Sequence, residues 1–236
     1  MMTELTLPII GYMHSSYKEK FGIPRQPNLV QVESYIEMSA PYNDVLAFEG
    51  IEAFSHLWLL WQFHDNKNPE KTQFRPQVRP PRLGGNKKIG VFATRSMYRP
   101  SPIGLSVVRL KCVKKEGKSV RVYVTGSDLL DGTPIVDIKP YIHYSDAVID
   151  VESGYAQDEP KRKSVIWSDR AIEQKQQLLM SEKLSLQTVQ ELEAVLSLDP
   201  RPAYQDDEAR VYKMKFAAVD IAFTVGETTV NITAVE

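Results

Sequence analysis

Apolar and polar residues alternate along several short stretches of the first two-thirds of the chain, with the two-residue period of a β-strand. The alternation is cleanest at residues 119–125, where Val120, Val122 and Val124 are separated by polar or larger side chains. A similar stretch precedes it at residues 105–113, and the charged residues 115–118 between the two fit a hairpin turn. The pattern predicts a pair of antiparallel strands.

Other apolar runs in the same part of the chain predict further strands, at residues 6–14, 29–38, 55–64 and 135–141. The run at 55–64 is dense in aromatic and aliphatic residues, which is typical of a buried strand. This part of the chain is therefore expected to form a β structure connected by polar loops.

The last third of the chain has a different period. Residues 168–180 and 185–198 predict two helices, followed by strands at 210–216, 221–225 and 229–235. Because the periodicity changes across a polar stretch near residue 155, we expect two domains, at residues 1–155 and 156–236. The predicted fold class is mainly β with a small α+β C-terminal unit.

The stretch from Gly90 to Leu105 is the most unusual in the chain. Its first four residues, 90–93, are predicted to end a buried strand, and a cationic, proline-containing loop follows. Arg95 and Arg99 lie in that loop, and the prolines near them restrict the backbone. Gly104 allows either a close backbone approach or a positive φ. Such a loop suits an anionic ligand, although the same composition fits an ordinary surface loop.

Charge is distributed unevenly along the 236 residues. The net charge is −1, but residues 67–99 contain nine Lys or Arg residues and one acid, Glu70, which leaves −9 for the rest of the chain. A segment of this kind matches a partner with a phosphate backbone. The alternative is a solvated loop whose charges are balanced by acids that the fold brings near.

Several classes of protein are disfavoured. No apolar run reaches the length of a membrane span, and the first residues do not resemble a secretory signal. The single cysteine, Cys112, fits a reducing cytoplasm and is expected to be buried filler. His56 and His64 lack the spacing of a zinc motif, so no metal is expected. Neither a Walker motif nor a GxGxxG motif occurs, which argues against a Rossmann nucleotide fold.

Four polar loops of the predicted β structure carry distinctive residues, at 25–27, 64–65, 95–104 and 131–134. Together with Thr94-Arg-Ser-Met-Tyr-Arg-Pro-Ser-Pro-Ile-Gly104, Asp128-Leu-Leu-Asp-Gly-Thr-Pro134 and Asp137-Ile-Lys-Pro-Tyr141, they resemble the TsaA-like family, also called the YaeB/TrmO family. The opening residues 11–27 fit this family as well. One departure is Ser101, where the family commonly has Asn.

The resemblance implies an S-adenosylmethionine (SAM)-dependent enzyme whose cofactor domain is a β-barrel, and which is usually a cytoplasmic homodimer. The implied reaction is methylation of N6 of N6-threonylcarbamoyladenosine, at position 37 beside the anticodon of threonine tRNA. Carried over residue by residue, the cofactor contacts would be Arg25, Gln26, Pro27, His64, Asp65, Arg95, Leu105, Asp131, Gly132, Thr133 and Pro134.

These residue types suit the implied cofactor. Its carboxylate would pair with Arg25 or Arg95, and Leu105 would pack on its adenine ring. Asp65 and residues 131–134 offer partners for the ribose and adenine. The residue that accepts the proton from the substrate nitrogen is not identified: Asp131, His64 and solvent all remain open.

The basic segment gains a specific role from the resemblance, which is contact with the phosphates of the anticodon stem or with the modified base. The candidates are Arg75, Arg79, Arg82, Lys87, Lys88 and Arg99. Two alternatives to the enzyme remain: a module that binds SAM or RNA without turnover, and a structural β protein with an incidental basic face.

Overall fold

A computed structural model describes residues 5–65, 74–202, 205 and 207–236. Its strands are β1 (Gly11–His14), β2 (Glu33–Met38), β3 (His56–Gln62), β4 (Gln77–Val78), β5 (Ile89–Gly90), β6 (Ile103–Glu116), β7 (Ser119–Thr125), β8 (Pro134–Pro140), β9 (Ser164–Trp167), β10 (Tyr212–Phe216), β11 (Val219–Val225) and β12 (Thr229–Val235). Its α-helices are α1 (His143–Asp146), α2 (Asp169–Met180) and α3 (Leu186–Leu196).

Within these described ranges, six strands close into an antiparallel barrel in the order β1-β2-β7-β6-β3-β8. The barrel is filled by alternate residues of its strands. Val120, Val122 and Val124 of β7 are fully buried, and they pack with Leu57 and Leu59 of β3. The predicted barrel and the predicted pairing of β6 with β7 are confirmed.

The C-terminal residues form a second layer of strands and helices. Its sheet, in the described part of the chain, has the order β10-β11-β12-β9, with β9 parallel to β12. The hydroxyls of Ser168 and Ser185 accept hydrogen bonds from the first turns of α2 and α3, so serine caps start both helices. The small α+β unit is confirmed, whereas β9 has no counterpart among the predicted strands.

An N-terminal segment takes part in the core of this second unit. Tyr17, Val30 and Val32 are buried there, and the ring of Phe21 stacks on Tyr212 and Phe223. Residues 17–32 therefore connect the barrel to the C-terminal sheet through side-chain packing. A division of the chain at residue 155 stays a prediction.

The expectation that residues 90–93 end a buried strand is wrong. Of these four residues, only Gly90 belongs to a strand, the two-residue β5. A 3₁₀ turn over Val91–Ala93 follows it, and Phe92 is 68% exposed. The Thr94 hydroxyl donates a hydrogen bond of 2.7 Å to the carbonyl of Val91. This local bond satisfies a backbone group within the turn and so competes with strand pairing.

No helix of the described ranges is both long and apolar enough to cross a membrane.

Candidate functional site

A cavity of about 780 Å³ lies where several loops meet one end of β3 and the start of β6. Four of the loops highlighted by the sequence contribute to it. Eight of the residues predicted to contact a cofactor line this cavity: Arg25, Gln26, Pro27, His64, Asp65, Arg95, Leu105 and Thr133. The fold thus brings together residues that are more than a hundred positions apart.

The loop that carries Arg25 and Gln26 is held from two sides. The Asn28 backbone N–H donates 2.8 Å to the carbonyl of Gly126, and the Asn28 amide donates 2.9 Å to the carbonyl of Val107 in β6. On the other side, the Arg25 guanidinium donates 3.1 Å to the carbonyl of Arg201 in the C-terminal unit. Both the barrel and the C-terminal unit therefore position this loop.

Cations surround the mouth of the cavity. Arg25 and Arg95 are exposed, and Arg95 also joins two loops because its guanidinium donates 2.5 Å to the side-chain oxygen of Gln26. Lys20 lies 3.4 Å from the carboxylate of Asp65 at the end of β3. The mouth is consequently suited to an anionic group.

Gly104 forms part of the cavity wall because the strand there must pass close to an indole ring. A Cβ atom at Gly104 would lie 2.2 Å from the ring of Trp61 on the paired strand β3. The glycine does not adopt a positive φ. The sequence allowed either a close backbone approach or a positive φ at Gly104, and the structure shows the close approach.

A chain of hydrogen bonds runs from this indole to a carboxylate that the sequence analysis did not select. Trp61 donates 3.0 Å to the hydroxyl of Ser106, and Ser106 donates 2.7 Å to Oδ1 of Asp128, which lines the cavity. Burial raises the pKa of Asp128 to about 6, although Ser106 and the charge of Arg95 oppose the rise. Asp128 belongs to a motif quoted above, but sequence alone does not reveal its burial.

Asp131, Gly132 and Pro134 are not among the described residues that line the cavity. Asp131 accepts 2.9 Å from the backbone N–H of Ser15 and forms a 2.9 Å ion pair with Lys18. Gly132 has φ +78 and pairs its N–H with the carbonyl of Met13. Pro134 begins β8 opposite Tyr12. These residues shape the turn that presents Asp128 and Thr133 to the cavity.

Arg99 differs from the other residues proposed to contact RNA. It is partly buried and lines the cavity, its guanidinium donates to the carbonyl of Thr94, and it lies over the ring of Phe92 at 5.6 Å. These contacts hold its own loop together.

The other five candidates, which we call the basic cluster, are all exposed: Arg75, Arg79, Arg82, Lys87 and Lys88. None of them forms a salt bridge with a carboxylate of the described residues. Lys67, Glu70 and Lys71 of the same segment lie outside the described residues. No described acid therefore pairs directly with the basic cluster, and its balance by more distant acids stays an alternative.

No group of three or more His, Cys, Asp or Glu side chains in the described ranges is arranged to hold a metal ion. Cys112 is a free cysteine on β6 and is partly exposed, so the expectation that it is buried is wrong.

The cavity fits the chemistry of SAM. Its mouth offers Arg25 and Arg95 to a carboxylate, and its wall includes the aromatic rings of Trp58, Trp61 and Phe63. Leu105 is 52% exposed beside these groups, so its side chain is free to cover an adenine ring. A cationic mouth over an apolar wall is the arrangement that an amino-acid-bearing nucleoside requires.

Comparison with known proteins gives the family. Residues 12–147 match the model of the tRNA-methyltransferase O N-terminal domain, and residues 160–236 match that of the TrmO C-terminal domain. The chain is 45% identical over 208 residues to the tRNA (adenine(37)-N6)-methyltransferase of Escherichia coli K12, an alignment that covers 88% of this chain and 86% of the relative. It is 44% identical over 223 residues to a putative S-adenosylmethionine-dependent methyltransferase of Pseudomonas aeruginosa, with 93% and 92% covered.

A solved structure shares the whole architecture. The crystal structure of TrmO from Pseudomonas aeruginosa superposes with a TM-score of 0.78 at 34% identity, covering 100% of this chain and 99% of that one. The family resemblance seen in the sequence is thereby confirmed. With both domain models matched and the fold shared from end to end, the chain belongs to the TrmO family of tRNA methyltransferases.

Proposed function

We propose that the protein is a SAM-dependent methyltransferase that methylates N6 of N6-threonylcarbamoyladenosine at position 37 of threonine tRNA. The observation that carries the proposal is the cavity, which collects eight of the expected cofactor residues, seven from four separate loops and Leu105 from β6, in a TrmO-family fold. Relatives named as adenine-37 N6-methyltransferases support the reaction, and those named as SAM-dependent support the cofactor.

Three parts of the cofactor have partners on this chain. Arg25 and Arg95 bind its carboxylate, Asp65 binds its ribose hydroxyls, and Leu105 covers its adenine. When bound, SAM supplies an activated methyl group. The chain's own contribution is to hold the acceptor nitrogen in line with that methyl group and to keep water out, which removes much of the entropic cost of the reaction.

The RNA lies across the basic cluster. Its five exposed cations have no described carboxylate as a partner, so they are available to phosphates. Phosphate contacts position an RNA without reading its sequence. Recognition of threonine tRNA therefore requires further contacts with unstacked bases of the anticodon loop.

The protein acts as a homodimer in the cytoplasm, where its tRNA substrate is found. Support for the dimer comes from the residues after β8, where Tyr144, Val148 and Ile149 are 90%, 71% and 83% exposed. Apolar side chains clustered on a surface in this way favour association, because it removes them from water.

Incubation of the protein with SAM and with threonine tRNA carrying the threonylcarbamoyl group tests the function. Mass spectrometry of the digested nucleosides is expected to show one added methyl group on the modified adenosine. Light scattering of the same protein is expected to show the mass of a dimer. The control is the same tRNA without the threonylcarbamoyl group, which is expected to remain unmethylated.

Calorimetric titration with SAM separates the alternatives. Binding of SAM with no methylated product would support a module without turnover and contradict the proposed enzyme. An absence of SAM binding would contradict both.

A further inference from the structure

The reaction proposed above, on which this inference rests, requires a proton acceptor. The N6 atom of N6-threonylcarbamoyladenosine carries one hydrogen, and its lone pair is delocalised into both the purine ring and the carbamoyl carbonyl. Such a nitrogen is a weak nucleophile until its proton leaves. A group that takes this proton must face the cavity, be unprotonated at neutral pH and have a free oxygen or nitrogen.

The acceptors suggested by sequence meet these conditions poorly. Asp131 does not line the cavity, and its two oxygens are engaged by the backbone of Ser15 and by Lys18. His64 is exposed at the mouth. Asp65, which the sequence did not suggest as the acceptor, also lines the cavity, but its carboxylate lies beside the cation of Lys20.

Asp128 meets them all. It lines the cavity wall, and Ser106 holds its Oδ1 at 2.7 Å while Trp61 holds Ser106 in turn. No side chain of the described residues forms a hydrogen bond with Oδ2. One oxygen is thus fixed by a chain of side-chain donors, whereas the other has no side-chain partner in the described residues.

We propose that the Asp128 carboxylate is the proton acceptor of the methyl transfer. The bond between N6 and the methyl carbon forms as the bond between sulfur and methyl breaks, and that electron pair stays on sulfur. The proton of N6 passes to Asp128, and solvent removes it after the product leaves. The three products are the methylated nucleoside, S-adenosylhomocysteine and a proton, so atoms and charge balance.

The electrostatic surroundings suit this role. Burial raises the pKa of Asp128 to about 6, so the group is ionised at neutral pH yet more basic than an exposed aspartate. The groups that face it are Arg95, whose charge lowers its pKa, and Tyr17, whose own pKa the aspartate helps to raise. The other charged or titratable groups around the cavity are Lys20, Arg25, His64, Asp65 and Arg99.

The first experiment measures single-turnover methylation against pH. For the wild type we expect an acid limb with its midpoint near the pKa of about 6. Asp128→Asn is expected to slow the step by roughly a hundredfold or more and to abolish that limb. Asp128→Glu keeps the carboxylate and is expected to recover part of the rate. Asp220→Asn, which removes an exposed carboxylate of the C-terminal sheet, is the matched control and keeps the wild-type profile.

Ser106→Ala distinguishes a proton acceptor from a structural residue. Since the Ser106 hydroxyl lowers the pKa of Asp128, its removal is expected to move the acid limb to higher pH. A residue that only supports the fold would lower the rate without moving the limb. Ser106→Ala also tests the role of Asp128 as proton acceptor if Asp128→Asn does not fold.

Binding measurements exclude a different role for the carboxylate, which is attraction of the cofactor's positive sulfur. SAM carries that charge and S-adenosylhomocysteine does not. Asp128→Asn is expected to change both affinities by less than about twofold, because the proton is accepted only during the reaction. Selective weakening of SAM binding by Asp128→Asn would overturn the proposal. A single-turnover rate of Asp128→Asn within threefold of wild type would also overturn it, as would an acid limb whose midpoint does not move in Ser106→Ala. An inactive wild type would instead contradict the proposed function.

Discussion

Asp128 and Asp131 are three residues apart in one turn, yet the fold gives them opposite surroundings. Asp131 accepts a backbone N–H and pairs with Lys18, so its charge is compensated. Asp128 is buried against the cavity, and its side-chain donor is the neutral Ser106 hydroxyl. Burial deprives an acid of the water that would stabilise its ionised form. Where few other groups compensate, this cost raises the pKa of the acid. Side chains of the same type thus differ in role because of their neighbours.

The raised pKa of Asp128 makes a prediction about stability. The folded value is about 6, above the ordinary value of 3.8, so the fold favours the protonated form. The corresponding stability is fully present below pH 3.8 and is lost as pH rises through 6. At pH 8 the ionised carboxylate then costs at most roughly 3 kcal/mol. Asp128→Asn is therefore expected to unfold at higher urea concentration than wild type at pH 8, with the difference disappearing at pH 4.

The control for this prediction is again Asp220→Asn, because the Asp220 side chain is 65% exposed and pairs only with Lys215 at the surface. Its stability is expected to follow that of wild type at both pH values. A gain for Asp128→Asn of the same size at pH 4 and pH 8 would show that the cause is packing rather than ionisation.

At the scale of elements, the contact between β3 and β6 places the cavity wall. Trp61 lies against the backbone of Gly104 and donates to Ser106, two residues further along β6. The same indole thus sets the spacing of the two strands and fixes the donor that holds Asp128. A change at this crossing affects both the barrel and the site.

Gly104→Ala is expected to destabilise the protein by about 1–3 kcal/mol and to weaken SAM binding, because the added methyl group would overlap the Trp61 ring. Urea unfolding and calorimetry measure the two effects. Gly90→Ala is the matched control: its φ is −57 and a Cβ there has no neighbour within 4 Å. Equal stabilities for the two variants would show that the strands move apart without cost.

The elements that sequence predicts well are those with a clear period or cap. β7 alternates strictly, and α2 and α3 begin at serines, so local physics determines them. β9 has four residues and exists because β12 pairs with it from far along the chain, which no local pattern reveals. Residues 90–93 are apolar like a strand, but a side-chain bond from Thr94 favours the turn.

The residues of the candidate site also differ in whether sequence motifs or tertiary contacts identify them. Arg25, Arg95 and Leu105 could be selected because they belong to recognisable motifs, and the fold brings them to one cavity. Asp128 belongs to a motif too, but its significance depends on burial and on Ser106, which lies on β6, the neighbour of the strand β7 that precedes Asp128. Tertiary contacts of this kind are absent from a single sequence.

At the scale of the whole molecule, the two units share side chains. Tyr17, Val30 and Val32 lie in the C-terminal core, and the Arg25 guanidinium binds a carbonyl of the C-terminal unit. The segment between β1 and β2 thus depends on both units for its conformation. We infer that the C-terminal unit helps to shape the loop that carries Arg25 and Gln26, in addition to any contact that it makes with RNA.

Charge is also organised at this scale. The net charge of the chain is −1, while residues 67–99 carry a strong positive excess. Four members of the basic cluster lie in the loop between β4 and β5, and the fifth, Arg75, precedes β4 and lies 5.6 Å over the ring of Tyr98, in the loop that carries Arg95 and Arg99. We therefore expect an RNA to be held on the basic cluster, beside the loop that lines the cavity.

The salt dependence of tRNA binding tests this arrangement. Each phosphate contact adds about 0.7–0.9 to the slope of log affinity against log salt, because counterions are released. Arg79→Ala/Arg82→Ala is thus expected to weaken binding in filter assays and to reduce the slope by about 1–2. Lys115→Ala/Lys118→Ala removes the same charge from the exposed β6–β7 hairpin and is expected to leave the slope nearly unchanged. Equal slopes for both double variants would mean that RNA senses only net charge. A reduced slope for Arg79→Ala/Arg82→Ala alone would show that phosphates of the RNA contact the basic cluster.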